Sequence, residues 1–132
     1  MTDAELLAAA KAAKEGAYAP YSRFRVGAAL IGKSGRVYMG ANVENAAYSV
    51  TCCAERTALF KAVTEGEREF AAIAVTSDSN GPTYPCGVCR QALYEFSPDL
   101  KVLASNNNLE YETTTLEQLL PHAFSGKEME SK

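Results

Sequence analysis

No apolar run in this 132-residue chain approaches the ~18 residues that a membrane-spanning helix requires. The first residues, Met1-Thr2-Asp3-Ala4-Glu5, lack the basic start and apolar stretch of a secretory signal, so the expected compartment is a reducing cytoplasm. Disulfides seldom persist there, and clustered cysteines then point to metal binding or redox chemistry. A basic stripe is missing as well: Lys and Arg are scattered and the net charge is −3, which removes the electrostatic footprint of a polynucleotide binder and favours a small free substrate. Internal repeats, linkers and low-complexity segments are also absent. What remains, at 47% hydrophobic content, suits one compact domain over residues 1–132, with 125–132 as a polar, partly frayed tail.

Local patterns outline the elements. Thr2-x-x-Glu5 is a capping box, followed by Leu6, Leu7, Ala10, Ala13 and Ala17 at helical spacing. Phe24 to Ile31 and Arg36 to Ala41 are rich in β-formers around the turn residues Gly32-Lys33-Ser34-Gly35, which predicts a hairpin. A helix is expected from Cys53 through Val63, ending near Gly66. Ala71 to Val75 has no alternation and suits a strand buried on both faces, hence a sheet covered by helices on both sides. Pro85 opens another helix through Phe96, Lys101 to Ala104 gives a short strand, and Thr115-x-x-Gln118 caps a last short helix. The order indicates an α/β layered domain.

The four cysteines carry the chemistry. Cys53-Ala-Glu55 and Pro85-Cys86-Gly-Val-Cys89 offer three thiolates and one carboxylate that need not bind metal, the composition of a catalytic zinc site with its fourth position open. Cys86 and Cys89, three apart on a helix, project from one face, and Cys53 joins them from another helix start. Helix N-termini stabilise thiolates. Three thiolates make zinc a poor Lewis acid, and Arg56, one turn beyond Cys53, is placed to draw charge from the sulfurs; its other reading is a surface arginine. Glu55 is the acid/base candidate, or simply a first-turn residue favoured by the helix dipole. Cys86-Gly-Val-Cys89 alone could be a redox pair, although thioredoxin-like motifs follow a first strand. A closed four-cysteine zinc would need Cys52, whose neighbour Cys53 makes joint ligation awkward, so Cys52 reads better as a small buried side chain.

The motifs Phe24-Arg-Val-Gly-Ala-Ala29, Asn42-Val-Glu-Asn-Ala-Ala-Tyr48, Cys53-Ala-Glu-Arg-Thr57, Pro85-Cys-Gly-Val-Cys-Arg-Gln91 and Leu119-Leu-Pro-His-Ala-Phe124 closely resemble those of the cytidine deaminases, in the small three-cysteine class. The resemblance implies a three-layer α/β/α fold with a mixed central sheet of about five strands. It implies one zinc per chain on Cys53, Cys86 and Cys89, and hydrolysis of cytidine or deoxycytidine to uridine or deoxyuridine in pyrimidine salvage. Hydroxide on the zinc would attack while Glu55 shuttles the proton. It further places Asn42 and Glu44 on ribose hydroxyls, Phe24 against the pyrimidine and Tyr48 beside the site. A homotetramer is implied, with Phe124 closing a neighbour's pocket; a domain this small has little surface with which to enclose a nucleoside alone. Tyr84 departs from the family pattern, which has a small residue before Pro85-Cys86; if only the backbone carbonyl at 84 meets the substrate amine, the larger side chain is harmless.

Other readings remain at this point. A deaminase for a modified nucleoside such as blasticidin S shares C-x-E and P-C-x-x-C but not the Asn42–Tyr48 segment. A structural zinc module would need four protein ligands and show no turnover. Polynucleotide editing fits poorly with the acidic balance and the all-cysteine ligand set.

Overall fold

Thr2 stands at the N-cap of α1 (Asp3–Lys14), its hydroxyl accepting from the Glu5 N–H while the Glu5 carboxylate accepts from the Thr2 N–H. The helix stops three residues short of Ala17: Lys14 turns its side chain inward, and Gly16, a poor helix former, follows. The structure is a computed structural model and describes residues 1–130; Ser131 and Lys132, the end of the expected tail, lie outside the described residues.

β1 (Val26–Gly32) and β2 (Val37–Ala41) form the hairpin, with Gly27 opposite Ala41 and Ile31 opposite Val37. Gly35 closes the turn at φ 93°, where a side chain would be strained. β1 begins two residues later than its composition suggests, because the N–H groups of Phe24 and Arg25 bond to side chains, Ser22 Oγ and Asp78 Oδ2, instead of to a strand. β3 (Phe70–Ser77) runs antiparallel beside β1, β4 (Lys101–Ser105) parallel to β3, and β5 (Tyr111–Thr115) antiparallel to β4. The sheet is therefore mixed, in the order β2-β1-β3-β4-β5.

Helices cover both faces. α1 packs Leu6, Leu7 and Ala10 onto Ala29, Ala74 and Leu103. On the other face α2 (Ala54–Thr64) and α3 (Gly87–Tyr94) supply Ala58, Leu59 and Leu93 to a larger core with Ala28, Leu30, Ile73, Val75 and Val102. Successive residues Ile73, Ala74 and Val75 alternate between the two cores, which is why that stretch is apolar without alternation. Only its start departs from the expectation: Ala71 is exposed and Ala72 half-buried. α3 ends before Phe96, whose ring instead packs edge-on against Phe70 with centroids 6.3 Å apart.

Gly40 on β2 sets how closely α2 approaches. A Cβ there would lie 2.5 Å from Ala58 N and 2.6 Å from Ala54 O, so the helix backbone rests on the strand. Thr115 and Gln118 form the expected capping box on α4 (Leu116–Leu119). Where the expected tail begins, Ser125 bonds through N and Oγ to Glu128 Oε2 and leads into α5 (Gly126–Glu130). Among the described residues, no helix is long and apolar enough to cross a membrane.

Candidate active site

Cys53 is the N-cap of α2 and Cys86 the N-cap of α3, both with extended backbone. Ser, Thr or Asp at such positions would spend its side chain on the helix, but neither cysteine makes a cap hydrogen bond and both sulfurs are left available. Cys89, fully buried in the first turn of α3, completes a trio whose sulfurs lie within 4.8 Å of one another. Cys53 Sγ and Cys86 Sγ are 3.8 Å apart. Two thiolates on one tetrahedral zinc, with bonds of ~2.3 Å, would be about 3.8 Å apart, so the trio fits that metal. Cys52 is outside the cluster: its sulfur accepts from Thr57 Oγ1 at 3.6 Å and its backbone bridges to Val43. A closed four-cysteine site is thereby excluded.

The electrostatics follow from this crowding. The hydrogen bond from the Cys89 thiol, aided by the guanidinium of Arg56, lowers Cys53 to about 5, while Cys89 is pushed upward as the partner that keeps the proton. Arg56 Nη2 lies 3.6 Å from Cys53 Sγ and 3.5 Å from the Thr51 carbonyl oxygen. Its Nε is buried without a hydrogen-bond partner among the described residues. The arginine is half-buried against the thiolates and is no surface residue. Glu55, in the first turn of α2, is only 4% exposed, and burial raises its carboxyl to about 7.

Two concavities adjoin at Thr51. One, of about 230 Å³, is lined by Phe24, Asn42, Glu55, Cys53 and Cys86, together with Thr51, Thr83 and Tyr84, which the sequence reading assigned to no side-chain role. The other, of about 370 Å³, holds Glu44 and Tyr48 beside Tyr21 and Ser22. The cysteine cavity is the smaller, yet it alone joins the sulfurs to a buried acid.

Asn42 and Glu44 already have structural work. Asn42 Oδ1 accepts from Val26 N–H and its Nδ2 donates to the Phe24 carbonyl, both at 2.9 Å, which fixes the segment carrying Phe24. The amide still has one lone pair and one N–H to offer. Glu44 accepts from the N–H groups of Tyr21 and Ser22 at 2.9 and 3.0 Å and from Ser22 Oγ, and the Ser22 contacts hold its carboxyl below the usual range. Tyr48 is 76% exposed and meets Tyr21 edge-on. Phe124 lines neither concavity of its own chain: it is 59% exposed, with its carbonyl accepting from Gln91 Nε2 at 2.8 Å.

Residues 1–105, which contain the trio and Glu55, match the family described as the cytidine and deoxycytidylate deaminase zinc-binding region. The chain belongs to the cytidine deaminase family. It is similar to the cytidine deaminase of Sporosarcina psychrophila, with 51% identity covering 95% of this chain and 93% of that one. For the cytidine deaminase of Halalkalibacterium halodurans the identity is 54% over 89% of each. The crystal structure of cytidine deaminase from Burkholderia pseudomallei has the same fold, with a TM-score of 0.91 and 52% identity over 94% of this chain and all 100% of that one. That of the Mycobacterium tuberculosis cytidine deaminase gives 0.82 at 37% identity, covering 94% and 98%. The family's zinc-binding region and the three-cysteine cluster together fit one zinc per chain.

Proposed function

We propose that this chain, as a single domain, hydrolyses cytidine and deoxycytidine to uridine and deoxyuridine with release of ammonia, in pyrimidine salvage. The observation that carries the reading is Glu55: a nearly fully buried carboxyl, raised to about 7, in one cavity with the cysteines and unneeded as a ligand. Such a group is poised to take and return a proton near neutral pH.

Cys53, Cys86 and Cys89 would hold the zinc, which when bound acidifies water and polarises the site. Glu55 takes one proton of the water and delivers it to the ring nitrogen N3 as the water oxygen bonds to the amine-bearing carbon. It then takes the second proton from the hydroxyl so formed and passes it to the amine as the carbon–nitrogen bond breaks, which leaves a carbonyl on the ring, a proton on N3 and free ammonia. Arg56 donates toward Cys53 Sγ and draws charge from the thiolates. Phe24 offers a ring face to the pyrimidine. The spare lone pair and N–H of Asn42, with the ionised Glu44, read the sugar hydroxyls, and Tyr48 flanks them. Two concavities meeting at Thr51 suit a two-part ligand, base by the cysteines and sugar by Glu44.

The active form is a cytoplasmic homotetramer in which Phe124 closes a neighbour's pocket. Its exposure and its distance from its own chain's cavities support this reading, as do four free cysteines for a reducing compartment. Glu55→Gln keeps zinc and fold and lowers turnover by ~10²-fold or more, the scale of a positioned acid/base group. Metal analysis and steady-state kinetics on the same preparation check it; near-normal turnover would contradict the proton role.

A further inference from the structure

We propose that Tyr84, latched by Glu112, is the specificity-determining wall that limits how much bulk the pyrimidine can carry at C5. Tyr84 lines the cysteine cavity, and its phenol donates to Glu112 Oε2 on β5, where Glu112 is paired with Ala104 of β4. The wall is held at both levels. Its backbone is pinned on one side by Thr83, whose N–H bonds to the Ser105 carbonyl at 3.0 Å and whose hydroxyl meets Ser77 Oγ at 2.5 Å. On the other side Pro85 restricts the backbone of Tyr84, and its carbonyl accepts from Arg90 Nε at 2.7 Å. The ring is therefore fixed through its hydroxyl to a strand edge and through its backbone to the ends of β3 and β4.

The inference rests on the deaminase reading. The carbon bearing the amine has two ring neighbours, N3 and C5. Glu55, from the start of α2, serves N3, which leaves C5 for the wall from the other helix entry, where Tyr84 stands two residues before Cys86. A rigid aromatic wall there rejects bulk by steric exclusion, an effect usually worth ~10- to 200-fold per methylene-sized group.

The test compares kcat/KM for cytidine and 5-iodocytidine, and calorimetric Kd for uridine and 5-iodouridine, in the wild type, Tyr84→Ala, Tyr84→Phe and Glu112→Leu. Tyr84→Ala should raise the ratio of iodinated to plain substrate ~10-fold or more, with the Kd ratio moving the same way. Tyr84→Phe and Glu112→Leu keep the wall's volume but remove the latch, and should raise the ratio by about 3-fold. A merely structural tyrosine would lower both substrates together and leave the ratio alone. If Tyr84→Ala does not fold, unchanged ratios in the two latch variants overturn the proposal; if it folds, an unchanged ratio in it does so alone. A wild type inactive on cytidine would instead refute the deaminase reading, so the two failures are separable.

Discussion

Asp78 shows how much one side chain settles in this protein. Its carboxylate accepts from Arg25 N–H, Nε and Nη2 at 3.0 to 3.2 Å and pairs with Lys14 Nζ at 3.0 Å, and the Arg25 contacts hold its carboxyl well below the usual carboxylate range. Lys14 is 2% exposed, so Asp78→Asn leaves its buried ammonium without a counter-charge, held only by the Asn107 Oδ1 and Ser77 carbonyl acceptors, and should cost about 3 kcal/mol near neutral pH. Because the folded carboxyl titrates below the unfolded one, its contribution is complete above the unfolded value of ~3.9 and fades as pH falls through the lower folded value. Urea denaturation should show a large gap between wild type and variant at pH 7 and a shrinking one below pH ~4. A gap independent of pH would contradict the assignment. Residues of this kind were not legible in the sequence: Asp78 meets partners 53 and 64 positions away (|25−78| and |14−78|), and nothing local marks them. Cys53, Cys86 and Cys89 differ, because C-x-E and P-C-x-x-C write the helix starts and the spacing of the clustered sulfurs into adjacent positions. For Asn42 and Glu44, the bonds to Phe24, Val26, Tyr21 and Ser22 depend on how the loop before β1 folds back.

Among the elements, the starts of α2 and α3 matter most, since they bring the sulfurs of two N-cap cysteines to 3.8 Å from one another. α2 can take that place only because Gly40 lets its backbone touch β2. Gly40→Ala would push Ala54 and Ala58 outward, at about 1–3 kcal/mol, and shift Cys53 relative to Cys86. Thermal unfolding should show the loss, and zinc should leave the variant faster in a chelator competition. Wild-type stability and zinc retention would show that the close approach has no role in the site. The elements with apolar periodicity or caps were legible, as α1, the hairpin, β3 and α4 illustrate. β5 was not, because Tyr111-Glu-Thr-Thr-Thr is an edge strand with three exposed residues and no apolar face to betray it. The missed α5 is short and polar, with nothing but Ser125 and Glu128 to announce its start.

For the whole molecule, the three-layer core leaves the trio at its edge, with Cys89 buried and Cys86 exposed, and Phe124 lines neither concavity. A subunit arrangement that carries Phe124 to a neighbour predicts about four chain masses by light scattering, and partial recovery of activity when Glu55→Gln chains are reassembled with Phe124→Ala chains. A fully active monomer would end the shared-site proposal. A tetramer that never complements would return Phe124 to its own subunit. The reaction itself is tested most directly by incubating the purified protein separately with cytidine, deoxycytidine, cytosine, adenosine and an oligonucleotide, and following ammonia alongside the pyrimidine product. Ammonia matched one-to-one by uridine or deoxyuridine from the two nucleosides, with little from the other three, is the predicted result; no ammonia from cytidine, or equal release from cytosine or the oligonucleotide, would contradict it.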